Sequence, residues 1–235
     1  MLKAVFFDLD GTLLPFNEDE FVKVYFGLLA KKLEPLGYEK ETLIKCLWSG
    51  VKAMMLNDGS KSNEEVFWDY FASIYGEDKL KDKEIINSFY TNEFKQVKAI
   101  CKDNPYIKDI IEYCRENNLK VVLATNPIFP KAGTLTRMSF IGLKEEDFDF
   151  VTVYENSRVA KPNPKYYQWL LDKFHLKGEE VLMFGNNEYE DGIASTLGMN
   201  VCMVGEYVIK SDKLNIEIDY IDMKDIKNKI KEYIM

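Results

Sequence analysis

Phe6-Phe7-Asp8-Leu9-Asp10-Gly11-Thr12-Leu13 decides the fold of this chain. An apolar run beginning at Ala4 carries through Phe7, and two acids then appear two positions apart. In extended backbone that spacing points both side chains to one side. Gly11 lets the chain turn sharply behind them, and the amides that follow are free to face an anion. A buried strand ending in polar residues also matches open α/β sheets, which bind ligands beyond the carboxyl ends of their strands. A lone D-x-D is more often a solvated acidic turn. The apolar lead-in and the Gly-Thr-Leu behind this pair argue against that. Two carboxylates so close do not both stay ionised without a cation or hydrogen bonds. The pair suits a division of labour between an ionised nucleophile near a metal and a proton carrier of raised pKa.

Four further apolar runs have the same character: Lys120–Thr125, Phe150–Tyr154, Val181–Gly185 and Asn200–Val204. None alternates apolar with polar, as expected of parallel strands covered on both faces. Helical patterns separate them, and Asn163-Pro164 offers an N-cap with proline at the first helical position. These features predict a doubly wound, Rossmann-like α/β core. The second run arrives more than 100 residues after the first, whereas a simple crossover needs about 30. The interval is helical throughout. Stripes at Phe21, Val24, Leu28 and Leu29, at Leu43, Leu47 and Val51, at Phe67, Tyr70, Phe71 and Ile74, and at Ile86, Phe89, Tyr90 and Phe94 predict four helices. Pro35 and Gly37 end the first, and Ser62 with Glu65 forms a capping box for the third. The expected organisation is a core of residues 1–14 and 106–235 with a helical cap, residues 15–105, that makes a small core of its own. Segment 105–117 is the expected crossover helix. An alternating stretch (Ile216, Ile218, Tyr220) and a charged helix close the chain.

Composition excludes several function classes. The chain has 235 residues, a formal net charge of -8 and no dense run of Lys or Arg, so the footprint of a nucleic-acid binder is missing. Cys46, Cys101, Cys114 and Cys202 are widely spaced and His175 is the single histidine, a set unsuited to zinc. With no apolar stretch of 18 residues, no membrane partner is expected, and cytoplasm is the expected compartment.

D-L-D-G-T-L at the end of the first strand resembles the first motif of the haloacid dehalogenase superfamily, and three further motifs follow in order. Thr125, ending Val122-Leu123-Ala124-Thr125-Asn126-Pro127, matches the second. Lys161 in Ala160-Lys161-Pro162 matches the third. The acidic loop Gly185-Asn186-Asn187-Glu188-Tyr189-Glu190-Asp191 matches the fourth. The resemblance covers the whole chain and implies a phosphatase with a helical cap after its first motif. It implies Asp8 as nucleophile, forming an aspartyl-phosphate, and Asp10 as general acid and base. Thr125 would hold phosphoryl oxygens with Gly11, Thr12 and Asn126, and Lys161 would balance developing charge. A helix beginning at Asn126-Pro127 would add its dipole. Dehalogenases of this fold typically lack the second acid, so Asp10 favours phosphate chemistry.

The implied cofactor is Mg²⁺, with Asp8, Asp10, Asn186, Asn187 and Asp191 as candidate ligands. The family's fourth motif normally places an aspartate where this chain has Asn186 and Asn187. An amide oxygen still ligates a hard cation but brings no charge. Glu190 and Asp191 are the nearest substitutes, in i,i+4 register with the two asparagines if a helix begins there. Asn187 with Glu190 also resembles a capping pair. The expected substrate is a small phosphorylated metabolite. The alternatives are a sugar phosphomutase of the same fold and a phosphate-binding protein with a weakened metal site.

Overall fold

The computed structural model describes residues 1–234. Six parallel strands form one sheet: β1 (Ala4–Phe7), β2 (Lys120–Leu123), β3 (Phe150–Val151), β4 (Val181–Gly185), β5 (Asn200–Val204) and β6 (Asp219–Ile221). Their spatial order is β3-β2-β1-β4-β5-β6, the doubly wound arrangement expected. All four β1 residues are fully buried, which explains their unbroken hydrophobicity. Phe7 lies opposite Leu123 on one side and Phe184 on the other, so three central strands end level.

Two strands depart from expectation. β3 stops at Val151 because the Asn156 side chain folds the chain into a turn, accepting from the Val153 amide at 3.0 Å and donating to the Val151 carbonyl at 2.9 Å. β6 adds a sixth strand beside β5, within the alternating stretch near the C-terminus. It is an edge strand, exposed at Asp219 and Tyr220 (53%) and half-buried at Ile221.

The interval after β1 holds α1 (Glu18–Leu33), α2 (Lys40–Met55), α3 (Asn63–Tyr75) and α4 (Lys83–Thr91), then a 3₁₀ stretch, Glu93–Ile100. The capping box before α3 is present, with the Ser62 hydroxyl accepting from the Glu65 amide and Glu65 accepting from the Ser62 amide at 2.7 Å. The fourth stripe is split: Ile86, Phe89 and Tyr90 lie on α4, while Phe94 lies on the 3₁₀ stretch. The core helices are α5 (Ile107–Glu116), α6 (Lys131–Phe140), α7 (Pro164–Phe174) and α8 (Ile226–Ile234). Asn163 caps α7, its side chain accepting from the Lys165 amide at 3.0 Å.

The helical segment does not enclose a separate core. Phe21, Tyr25, Phe71 and Phe94 belong to one continuous apolar cluster with Val5, Phe7, Leu123 and Phe184 from one sheet face. The opposite face (Ala4, Phe6, Val122, Met183) packs on Tyr166, Tyr167 and Leu170 of α7. Polar contacts also tie the segment down: Asn63 Nδ2 donates to the Pro127 carbonyl at 3.1 Å, and Trp68 Nε1 to the Tyr154 hydroxyl at 3.3 Å.

Candidate active site

The level ends of β1, β2 and β4 bring Asp8, Thr125 and Asn186 side by side. The sheet ladder continues one residue further, the Asp8 amide donating to the Phe184 carbonyl at 2.8 Å and the Ala124 amide to Phe7 at 2.7 Å. Asp8 and Thr125 are buried, 6% and 1% exposed, and with Asp10, Gly11 and Asn126 they line one cavity of about 530 Å³. Gly11 has φ +76°, and a Cβ there would lie 2.1 Å from Asn186 Nδ2. No other residue allows both this turn and the approach of the fourth-motif loop.

Lys161 is the hub. Its side chain is 1% exposed, with Nζ 2.9 Å from Asp8 Oδ1 and 2.5 Å from Asp191 Oδ1. Asp191 Oδ1 also accepts from the Tyr167 hydroxyl at 3.2 Å, while Oδ2 accepts from the Asn186 and Asn187 amides, each at 3.0 Å. A Cβ on Gly185 would sit 2.1 Å from Asp191 Oδ2, so the loop closes only over glycine. Both Asp191 oxygens are therefore committed to holding Lys161 and the loop. Asn187 is the cap that its sequence resembles, its side-chain carbonyl accepting from the Tyr189 and Glu190 amides at 3.0 and 3.1 Å. No α-helix follows, however. A 3₁₀ turn, Gly192–Leu197, replaces it, so Glu190 and Asp191 are not in the helical register considered above.

Asn186 faces the acids. Its Oδ1 is 3.3 Å from the Thr12 hydroxyl, which is also 3.4 Å from Asp8 Oδ2, and its Nδ2 donates to the Tyr207 carbonyl at 2.9 Å. Asn126 donates to Glu190 Oε2 at 3.0 Å, and its own side-chain carbonyl is buried without a partner. No helix begins at Asn126-Pro127. The first helical residue is Lys131, because Pro127 and Pro130 force extended backbone before them and remove two donors.

One charged group is missing from the sequence reading. Arg137 on α6 is completely buried, its Nε 3.1 Å from Asp10 Oδ1 and its guanidinium carbon 3.9 Å from the Phe129 ring centroid. The angles do not make a hydrogen bond, so none of its nitrogens has a partner and the attraction to Asp10 is coulombic. A signal was present. Arg137 shares an i,i+3,i+4 face with Thr134, Met138 and Ile141, all buried, so an arginine lies on a core-facing stripe.

The site is short of positive charge. Burial pushes the Asp8 carboxyl up to about 8; Lys161 opposes the rise, and the Asp191 and Asp10 charges add to it. Burial also raises Asp10, against Arg137 and Lys161. The Asp10 side chain is 29% exposed and lines the cavity. Burial takes Glu190 up to about 7, opposed by Lys161 and reinforced by Asp191. For Lys161 burial works against the charge, but Asp191 and Asp8 outweigh it and hold the ammonium well above the ordinary lysine range. Four carboxyl groups thus face two cations, Lys161 and Arg137. Among the described residues no three His, Cys, Asp or Glu side chains converge as a ready cation cage. The neighbouring donors are nonetheless all oxygen: Asp8 Oδ2 with only a distant hydroxyl, Asp10 Oδ1 with no hydrogen bond, and Asn186 Oδ1. That donor set and the charge deficit fit a hard divalent cation.

A model of the haloacid dehalogenase-like hydrolases matches residues 2–194. Among curated proteins, a phosphorylated carbohydrates phosphatase of Thermotoga maritima is 22% identical over 162 residues, 66% of this chain and 74% of that protein. The pyrophosphatase PpaX of Halalkalibacterium halodurans is 22% identical over 211 residues, 90% of this chain and 86% of its own. Solved structures with the same fold include a HAD phosphatase from Thermococcus onnurineus, with TM-score 0.60, 20% identity and coverage of 98% and 97%. A putative beta-phosphoglucomutase from Thermotoga maritima has TM-score 0.59, 21% identity and coverage of 98% and 99%.

Proposed function

Because the chain belongs to the haloacid dehalogenase-like hydrolase family, we propose that it is a Mg²⁺-dependent phosphohydrolase that cleaves a small phosphorylated metabolite through an aspartyl-phosphate on Asp8. The observation that carries this reading is convergence. Asp8, Asp10 and Thr125 line one cavity, and Lys161 Nζ sits 2.9 Å from Asp8 Oδ1.

Lys161 holds Asp8 Oδ1, which orients the carboxylate and leaves Oδ2 toward Thr12. Attack on phosphorus forms the Asp8 oxygen–phosphorus bond and breaks the bond to the leaving oxygen. Asp10, raised by burial and facing the same cavity, donates a proton to that oxygen and later takes one from the hydrolytic water. Thr125, lining the cavity, would bind an equatorial oxygen through its hydroxyl; the expected Gly11 and Thr12 amides do not join it, because they donate to the Leu14 and Leu9 carbonyls at 2.9 and 3.3 Å within the turn. The unpartnered Asn126 carbonyl is left for a donor such as water. Mg²⁺ would be held by Asp8 and Asn186, leaving the Asp10 carboxyl to carry the proton, and would supply the positive charge that the transferring phosphoryl group needs. Asn187 and Asp191 have their side-chain oxygens in hydrogen bonds and support that set instead of joining it.

The test is phosphate release from an aryl phosphate with Mg²⁺ and with chelator, in the native protein and in Asp8→Asn. Metal-dependent turnover lost in Asp8→Asn is expected. Equal activity in the variant removes the mechanism.

A further inference from the structure

The cavity does not end at the acids. It continues into the helical segment, where Leu33, Leu43, Leu47, Trp68, Phe71 and Ile86 form its far wall. At about 530 Å³ it lies within the range of about 300–1,000 Å³ that encloses a whole small ligand. Its chemistry is selective. Among the described residues that line it there is no Lys, Arg or His, while Glu18, Asp19 and Glu206 add carboxyl groups to those at the strand ends. A second anionic group on a substrate, such as another phosphate or a carboxylate, would find no counter-charge there and several like charges. Polyol hydroxyls fare little better. The Tyr25 and Tyr90 hydroxyls bond each other at 2.8 Å, and the Tyr154 hydroxyl accepts from Trp68 at 3.3 Å. A sugar hydroxyl against the aliphatic wall would be buried unpaired, which is destabilising. Besides the phenolic protons that those two contacts leave over, the helical part of the lining has one buried side-chain oxygen without a partner, Asn87 Oδ1.

Resting on the hydrolase reading, we infer that the substrate is a phosphate monoester of an uncharged, largely apolar alcohol, aryl or alkyl, whose body fills this cavity. Asn87 then accepts one hydrogen bond from a donor on that body. The leaving group is selected by desolvation of apolar surface inside the helical segment, and sugar phosphates and compounds with a second anion are rejected.

The test measures binding of methyl-, butyl- and hexylphosphonate in Mg²⁺ buffer by calorimetry, and phosphate release from the matching phosphate esters, phenyl phosphate, glucose 6-phosphate and pyrophosphate. Affinity rising about fourfold per methylene is expected from the transfer of each CH₂ out of water. Release from hexyl or phenyl phosphate should exceed that from glucose 6-phosphate at least tenfold in kcat/KM. In Val51→Trp, which fills part of the wall, the ratio of hexyl- to methylphosphonate affinity should fall at least tenfold. A flat chain-length series, or a preference for glucose 6-phosphate or pyrophosphate, overturns the inference and leaves the hydrolase reading standing. A steep series with no phosphate released from any ester leaves the apolar ligand site standing but overturns the hydrolase reading and, with it, the assignment of the ester as substrate.

Discussion

Replacing Lys161 by Met removes the one cation between Asp8 and Asp191 while keeping a side chain of similar length. Nζ lies 2.9 Å from one carboxylate and 2.5 Å from the other, and the site is 1% exposed, so solvent cannot take over its role. The substitution leaves a buried charge at Asp191 without its partner, and loss of one partner from a buried pair costs about 3–5 kcal/mol. For a chain of this size that corresponds to a drop of about 10 °C in Tm. Urea unfolding followed by tryptophan fluorescence at pH 7 without metal measures it, and the double variant with Asp191→Asn provides the cycle. The double variant should be more stable than the sum of the singles by at least about 1.5 kcal/mol. A loss under about 1 kcal/mol at pH 7, or simple additivity, would refute the claim that Lys161 holds two carboxylates together.

Three further outcomes are expected. Without metal, the folded state prefers protonated Asp8 and Glu190, raised to about 8 and about 7; the unfolded chain binds fewer protons, so Tm should fall as pH rises from about 5 to 8. Mg²⁺ should flatten that fall, as calorimetry with and without chelator will show. Arg137→Met should destabilise the chain by about 3 kcal/mol by stranding Asp10, and Arg137→Lys should not restore it, because the stack on Phe129 needs a planar group. A urea midpoint unchanged in either variant would count against that contact. Asn186→Asp places a charge beside Asp8 Oδ2 and should tighten Mg²⁺ at least about tenfold by titration calorimetry. Asn187→Asp, whose oxygen caps a turn, should change it far less.

How much of this was legible in the chain depends on the range of the interaction. The acid pair, the glycine turn, the capping box at Ser62 and the N-cap at Asn163 are each written within four or five residues. Local backbone geometry decides them, so the sequence determined the strand-end chemistry and the helical insert, while the strand order β3-β2-β1-β4-β5-β6 was decided by tertiary packing. Even locally there were limits: Pro127 and Pro130 displaced a helix start, and an asparagine turn cut β3 short. The assignments that tertiary structure decided are those in which distant segments compete for one atom. Whether Asp191 meets a metal or Lys161 depends on loop 185–191 closing over Gly185, some 30 residues from that lysine. Arg137 reaches Asp10 only because α6 packs beneath β1's turn, 127 positions later in the chain. The aromatic stripes of α1 to α4 marked a buried surface, but periodicity records only that a face avoids water. It does not distinguish a face pressed against protein from one lining a cavity, since burial free energy follows area removed from water whichever partner removes it.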